Sequence, residues 1–247
     1  MEGTILYHGS RTGIIGEIKP EGRAISDFGK GFYMGTKREQ AELLVLDEPS
    51  SVIYTLNLHL ENIPQKHILI FSNPMDWAFF VLYNRNMLED FEGIQNTQFY
   101  KNLANIANNK DIIIGPIADD NMTMIMEQFV DETITDKTFM ECIRCINWGS
   151  QYVAKTKRAC EQIEIIKKEK ITTEKRESYY KNEADRRREN NKKLKTTRKQ
   201  YRREGKYLNE ILEEYQRQEQ HKKRLRQAGI LDNNSPETTI DFDQPGQ

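Results

Sequence analysis

The chain has little cysteine, little proline and no long apolar run, and each shortage excludes a class of protein. Three cysteines, Cys142, Cys145 and Cys160, among 247 residues make an odd count with no disulfide framework of the kind that staples small secreted domains. Cys142 and Cys145 form a lone C-x-x-C pair. A zinc site would need two more ligands, for which His59 and His67 are the mid-chain candidates. The same spacing also places both thiols on one helical face, so core packing is the expectation and no metal is expected. No segment approaches the roughly 18–20 apolar residues needed to cross a bilayer. The opening MEGTILYHGS has neither a basic start nor a long apolar stretch, so no signal peptide is expected and a cytoplasmic protein is the simplest reading.

What is present is unevenly distributed. Hydrophobic content is 37% and mean hydropathy is -0.79, low for a single compact globule. Residues 1–154 hold 12 Lys and Arg against 21 Asp and Glu, a net of -9. Residues 155–228 hold 25 against 13, a net of +12, and residues 229–247 have four acids and no Lys or Arg. An overall charge of -1 therefore conceals an acidic head and a basic arm.

The head reads as α+β. Residues 5–8 form a short strand running into a Gly-Ser turn. Thr36-Lys37-Arg38-Glu39 fits a capping box before a helix to about residue 46. Strands are expected over 52–60 and 68–71. Asn73-Pro74 supplies an N-cap and a first-turn proline for a helix bearing Trp77, Phe79, Phe80, Leu82 and Tyr83. A short helix is expected over 98–107 and a buried strand over 111–115. Helices follow near 119–130 and 135–146, the second capped by Thr135, and a final strand covers 151–154. From 157 to 228 there is no proline and one glycine, Gly205. Leu194, Tyr201, Leu208 and Tyr215 recur every seven residues, half of a heptad seam. A long charged helix is expected there, a candidate coiled coil. The expected domains are a head over 1–156, a basic helical arm over 157–228 and a disordered tail over 229–247.

Three short pieces carry the candidate chemistry: Leu6-Tyr7-His8-Gly9-Ser10, then the run from Asp27 through Gly29-Lys30-Gly31-Phe32-Tyr33 to Thr36, then Ser150-Gln151-Tyr152-Val153. In this order they resemble the ADP-ribosyltransferase superfamily, in the branch of poly(ADP-ribose) polymerases and diphtheria toxin. That branch is named for a His, a Tyr and a Glu on three strands, here matched by His8, Tyr33 and Gln151. The stretch over about 3–160 is also similar to a family of uncharacterised bacterial domains in that superfamily, including Ile113-Ile114-Gly115-Pro116-Ile117-Ala118-Asp119-Asp120. The resemblance implies a split-sheet head that binds NAD as co-substrate.

The resemblance assigns roles that the residue types suit. Gly9 would offer its main chain to the nicotinamide carboxamide, since without a side chain it lets a ligand approach closely. Ser10 would add a hydroxyl to that group and His8 would bond a ribose hydroxyl. Tyr33 would stack on the nicotinamide ring. Arg23 is the candidate for the pyrophosphate, and Gly29, Gly31 and Phe32 line the loop that wraps the ligand. Gln151 departs from the family pattern, because a carboxylate there would stabilise an oxocarbenium-like ribose and an amide carries no charge. Asp119 and Asp120 are candidates for that carboxylate, with helix N-capping after Pro116 the favoured alternative. Gly149, two positions before Gln151, argues against an arginine-modifying pattern.

The implied activity is mono-ADP-ribosyl transfer to a protein or nucleic acid, of the kind used by bacterial toxins and defence components. The alternative is an inactive NAD-binding or partner-binding module with a helical interaction arm. The arm, with Arg186-Arg187-Arg188 and Lys192-Lys193, is a candidate for nucleic-acid phosphates, with Tyr179, Tyr180 and Tyr201 adding stacking. The favoured alternative is a solvated helix that spaces or oligomerises the heads, and a further one is docking on the acidic head. No membrane partner is expected.

Overall fold

The computed structural model describes residues 3–23, 25–48, 50–118, 120–146, 149–228 and 230. The tail expected over 229–247 lies outside them, apart from Ile230. The described strands form one seven-stranded mixed sheet in a fold that mixes α and β, as the α+β reading expects. They are β1 (Thr4–Ser10), β2 (Phe32–Gly35), β3 (Val52–Leu58), β4 (Ile68–Ile70), β5 (Ile112–Pro116), β6 (Ser150–Ala154) and β7 (Ile163–Lys170). Their spatial order is β4-β5-β6-β2-β1-β3-β7. All neighbouring pairs are antiparallel except β4 and β5. That parallel pair requires a long return, which α2 (Pro74–Asn84) and α3 (Gln98–Asn105) provide. The remaining helices are α1 (Arg38–Leu43), α4 (Asp120–Val130), α5 (Asp136–Arg144), α6 (Lys157–Cys160), α7 (Thr173–Tyr201) and α8 (Leu208–Gln227).

Alternation along the strands sorts side chains onto two faces. Ile113 and Val153 join the large core with Trp77, Phe79, Phe80, Met126, Phe129, Phe139 and Cys142. Ile112, Ile114, Phe32, Met34, Tyr54 and Leu56 face the other way, under Ile14, Ile18, Ala159 and Cys160. Helix starts follow the chemistry of their caps. Asn73 accepts from the Met75 N–H at 2.8 Å, and Thr135 accepts from the Thr138 N–H at 3.3 Å. Thr36 differs from the capping box expected of it. Lys37 is the N-cap of α1, with no side-chain cap bond. The Thr36 hydroxyl instead accepts from the Ser150 N–H at 3.0 Å, tying β2 to the start of β6.

Two further expectations are corrected. The boundary at 156/157 falls inside the sheet, because β7 pairs with β3 along its length, from Val52↔Lys170 to Leu58↔Ile163. Its sequence, IEIIKKEK, carries the charge of an edge strand and so resembles the charged helix that follows. The arm is also two helices rather than one. Residues 202–207 break it, with Gly205 at φ +89°, where a Cβ would lie 2.1 Å from Asp136 Oδ1. The break is held on the first turn of α5. Thr138 Oγ1 donates to the Tyr201 carbonyl at 2.9 Å, and Thr135 Oγ1 donates to that of Glu204. The Lys206 carbonyl accepts from the Asp136 N–H at 2.8 Å, and Asp136 Oδ1 accepts from the Lys206 N–H at 2.7 Å. Carbonyls left over at the end of one helix thus meet donors at the start of another.

The heptad seam lies against the head. Leu194, Leu208, Ile211 and Leu212 belong to the same core cluster as Trp77 and Phe129. Tyr215 stacks on Phe99 with ring centroids 5.2 Å apart. Among the described residues, no helix is long and apolar enough to cross a membrane.

Candidate functional site

The three motifs fall on neighbouring strands. Tyr7 pairs with Gly35, Gly35 with Gln151, and Gln151 with Gly115, so one row crosses β1, β2, β6 and β5. The His8 side chain reaches the Tyr33 main chain, and the two side chains lie on opposite faces of the sheet. His8 donates its Nδ1–H to the Tyr33 carbonyl at 2.7 Å. Its ring packs on Phe32, with centroids 4.3 Å apart, and lies 6.3 Å from Tyr54. Those contacts put the imidazole on the face of Leu6, Phe32 and Met34, with Tyr33 packed against the opposite core. Burial lowers the His8 pKa below its ordinary value, and the bond to Tyr33 partly restores it.

A tight turn over 26–29 organises the other two residues. Gly29 sits at φ +67° and donates its N–H to the Ser26 carbonyl at 3.1 Å. The Tyr33 hydroxyl donates to the Gly29 carbonyl at 2.7 Å and accepts from the Phe28 N–H at 2.9 Å. Burial pushes the phenol well above its ordinary range. Gln151 is buried, and its Nε2 donates to Asp27 Oδ2 at 2.7 Å and to the Pro116 carbonyl at 2.9 Å. Both partners are acceptors, so the orientation of the amide is determined and Oε1 is its acceptor end. Asp27 is in turn held by Arg85, Nη2 to Oδ1 at 2.5 Å and Nε to Oδ1 at 3.0 Å. Arg85 also donates to Thr123 Oγ1 at 2.7 Å. Lys155 Nζ donates to the Phe28 carbonyl at 2.5 Å, and burial pulls its ammonium down to about 8.

The remaining candidates are placed as follows. Gly9 lies against α1: a Cβ there would sit 2.1 Å from the Ala41 carbonyl oxygen. At Gly31 a Cβ would lie 2.5 Å from Val153 Cγ1, so the loop needs glycine to cross β6 closely. The Ser10 hydroxyl accepts from the Gly13 N–H at 3.0 Å. Phe32 is buried beneath His8. Arg23 is exposed, and its carbonyl accepts from Ser26 Oγ at 2.9 Å. Asp119 lies outside the described residues. Asp120 opens α4, is exposed and pairs with Arg187 of α7 at 2.9 Å.

Asp27 and Arg85 are the site residues that sequence reasoning did not assign. Both stand in stretches that carry the resemblance, but the pairing of residues 58 positions apart has no local signal. A cleft of about 230 Å³ lies elsewhere, lined by Phe91, Phe99, Leu212 and Tyr215 among others. Neither it nor a hollow of about 370 Å³ along the start of α8 is lined by His8, Tyr33 or Gln151.

A family described as "Protein of unknown function (DUF3990)" matches residues 4–165, from β1 into β7. No curated protein and no solved structure matches the chain.

Proposed function

We propose that this chain, which belongs to the DUF3990 family of proteins of unknown function, transfers ADP-ribose from NAD to a protein or nucleic-acid acceptor. The observation that carries the reading is the 26–29 turn, which bonds both Tyr33 and Gln151 while His8 bonds the Tyr33 main chain. Tyr33 and Gln151 share that turn, and His8, on the opposite face of the sheet, is tied to them through the Tyr33 main chain. In the reaction the bond between nicotinamide and ribose breaks. The acceptor nucleophile forms a new bond to that ribose carbon, its proton goes to solvent, and neutral nicotinamide leaves. Gly9 presents main-chain groups to the carboxamide. Gln151 Oε1 accepts from a ribose hydroxyl, its amide nitrogen being already committed. The Asp27 carboxylate behind that amide places negative charge near the developing cation. Tyr33, with its hydroxyl tied into the turn, acts through its ring and not as an acid.

A second reading, an NAD-binding module without turnover, is favoured by one observation. The Asp27 charge is already compensated by Arg85 at 2.5 Å, which weakens its field at the ribose.

The test is transfer of label from adenylate-labelled NAD by the full chain in a bacterial lysate, with protein and nucleic acid separated before counting. Label in either fraction, reduced on the order of 100-fold in Gln151→Leu and in His8→Ala, is the expected result. Undiminished labelling by both folded variants refutes the assignment of the site. NAD binding without transfer selects the second reading, and absence of NAD binding removes both.

A further inference from the structure

We infer that the outward face of α7 binds the phosphate backbone of a nucleic acid through a stripe formed by Arg188, Lys192, Lys195 and Lys199, with Arg202 just past the end of the helix. The inference does not depend on NAD chemistry.

The stripe exists because α7 is docked. Asn190 and Leu194 are buried, at 6% and 0% exposure, and set which side of the helix faces the head. At about 100° per residue, the spacings of four, three and four place Arg188, Lys192, Lys195 and Lys199 within an arc of about 60°, on the side away from the buried one. All five are exposed. At about 1.5 Å rise per residue the four on α7 extend over about 16 Å, a length that meets about five successive phosphates of one DNA strand.

Most of their charge is not spent within the chain. Residues 186–203 hold ten Lys and Arg and one acid, Glu189. Cations on the flanks of the stripe are paired: Arg187 with Glu183 and Asp120 at 2.9 Å each, Lys193 with Glu189 at 2.8 Å. Within the stripe, Arg188 meets Asp185 at 3.5 Å. Among the described residues, Lys192, Lys195, Lys199 and Arg202 meet no carboxylate. Like charges at these helical spacings repel one another by a few tenths of a kcal/mol per pair. The docking of α7 does not use them, since Leu194 and its inward neighbours make that contact. A polyanion lying along the helix removes the repulsion.

The form of the stripe favours nucleic acid over a lipid surface. A helix that lies on a bilayer sets an apolar face beside its cations. Between 181 and 206 no large hydrophobic side chain is exposed among the described residues. Base stacking is also not built in. The Tyr180 hydroxyl bonds Asp47, and the Tyr201 ring lies under Lys137 Nζ at 5.3 Å. Binding is therefore to phosphates and independent of sequence.

The test is fluorescence anisotropy of the full chain with a labelled 30-base-pair DNA duplex and a 30-nucleotide RNA, from 50 to 200 mM NaCl. Five phosphate contacts give a duplex salt slope of about -4.5, a loss of roughly 500-fold across that range. Lys192→Gln/Lys195→Gln/Lys199→Gln should reduce the slope to about -2 and weaken binding on the order of 100-fold at 100 mM. Lys19→Gln/Lys66→Gln/Lys101→Gln removes the same charge from exposed head sites and should leave binding within about threefold of the parent. Circular dichroism checks the fold, and Lys195→Gln/Lys199→Gln serves if the triple variant is unstable. No binding at 50 mM, equal losses in the two triple variants, or binding to phosphatidylserine vesicles without binding to either nucleic acid would each overturn the inference.

Discussion

Gln151 shows how a neighbour selects a side chain. Its amide nitrogen faces Asp27 Oδ2 and the Pro116 carbonyl, two acceptors. A glutamate here would bring a third acceptor and a second negative charge, with the Arg85 guanidinium already committed to Asp27. Gln151→Glu should therefore be destabilised by about 1–3 kcal/mol at pH 8. The new carboxyl would have a raised folded pKa, so the penalty vanishes where it is protonated and grows as pH rises through that value. Melting curves at pH 5 and pH 8 check this; an equal deficit at both would show that charge is not the cause. His8 gives the opposite dependence. Burial depresses its folded pKa below 6.5, so the unfolded chain takes up the proton first. Its contribution to stability is complete above about 6.5 and is lost as pH falls toward the folded value. The Tm difference between parent and His8→Gln should shrink from pH 7.5 to pH 5.5.

At the scale of elements, α7 and α8 complete the core of the head. Leu194 and Leu208 have no exposed surface, and both pack in the cluster of Phe129 and Phe139. Leu208→Ala should cost about 2–5 kcal/mol of global stability, measured by urea denaturation. A loss confined to helical signal, with the buried Trp77 environment unchanged, would mean that the arm melts alone. A chain ended at residue 171 should expose that apolar surface and bind a hydrophobic dye. The seven-residue spacing of Leu194, Tyr201, Leu208 and Tyr215 correctly marks a buried stripe. Which surface buries it is not encoded in the spacing, because a heptad seam fits a second helix or a globular face alike.

Over the whole molecule, charge and core are organised differently. Head and arm differ in charge by sign, -9 over 1–154 and +12 over 155–228, yet they share one apolar core. Contacts from α7 to the head include Arg176 Nη2 to the Glu48 carbonyl at 2.8 Å and Arg198 to Gln128 Oε1 at 2.8 Å. Unfolding should accordingly be a single transition, with far-UV dichroism and tryptophan fluorescence giving coincident midpoints. Two separated midpoints would show that the arm and the head fold as independent units.

The sequence by itself determined the elements whose cause is local. Asn73 and Thr135 cap the helices that follow them, and the apolar run at 112–114 forms a buried strand. The order of His8, Tyr33 and Gln151 could also be read along the chain. Tertiary structure alone decided the rest. β7 is a strand because β3 offers it an edge, while its own charged residues favour no particular element. Thr36 gives up its cap because β6 brings the Ser150 N–H within 3.0 Å. Asp27, Arg85 and Gln151 become one cluster only when the sheet and α2 bring together residues more than fifty positions apart, and buried polar groups then select partners by distance in space.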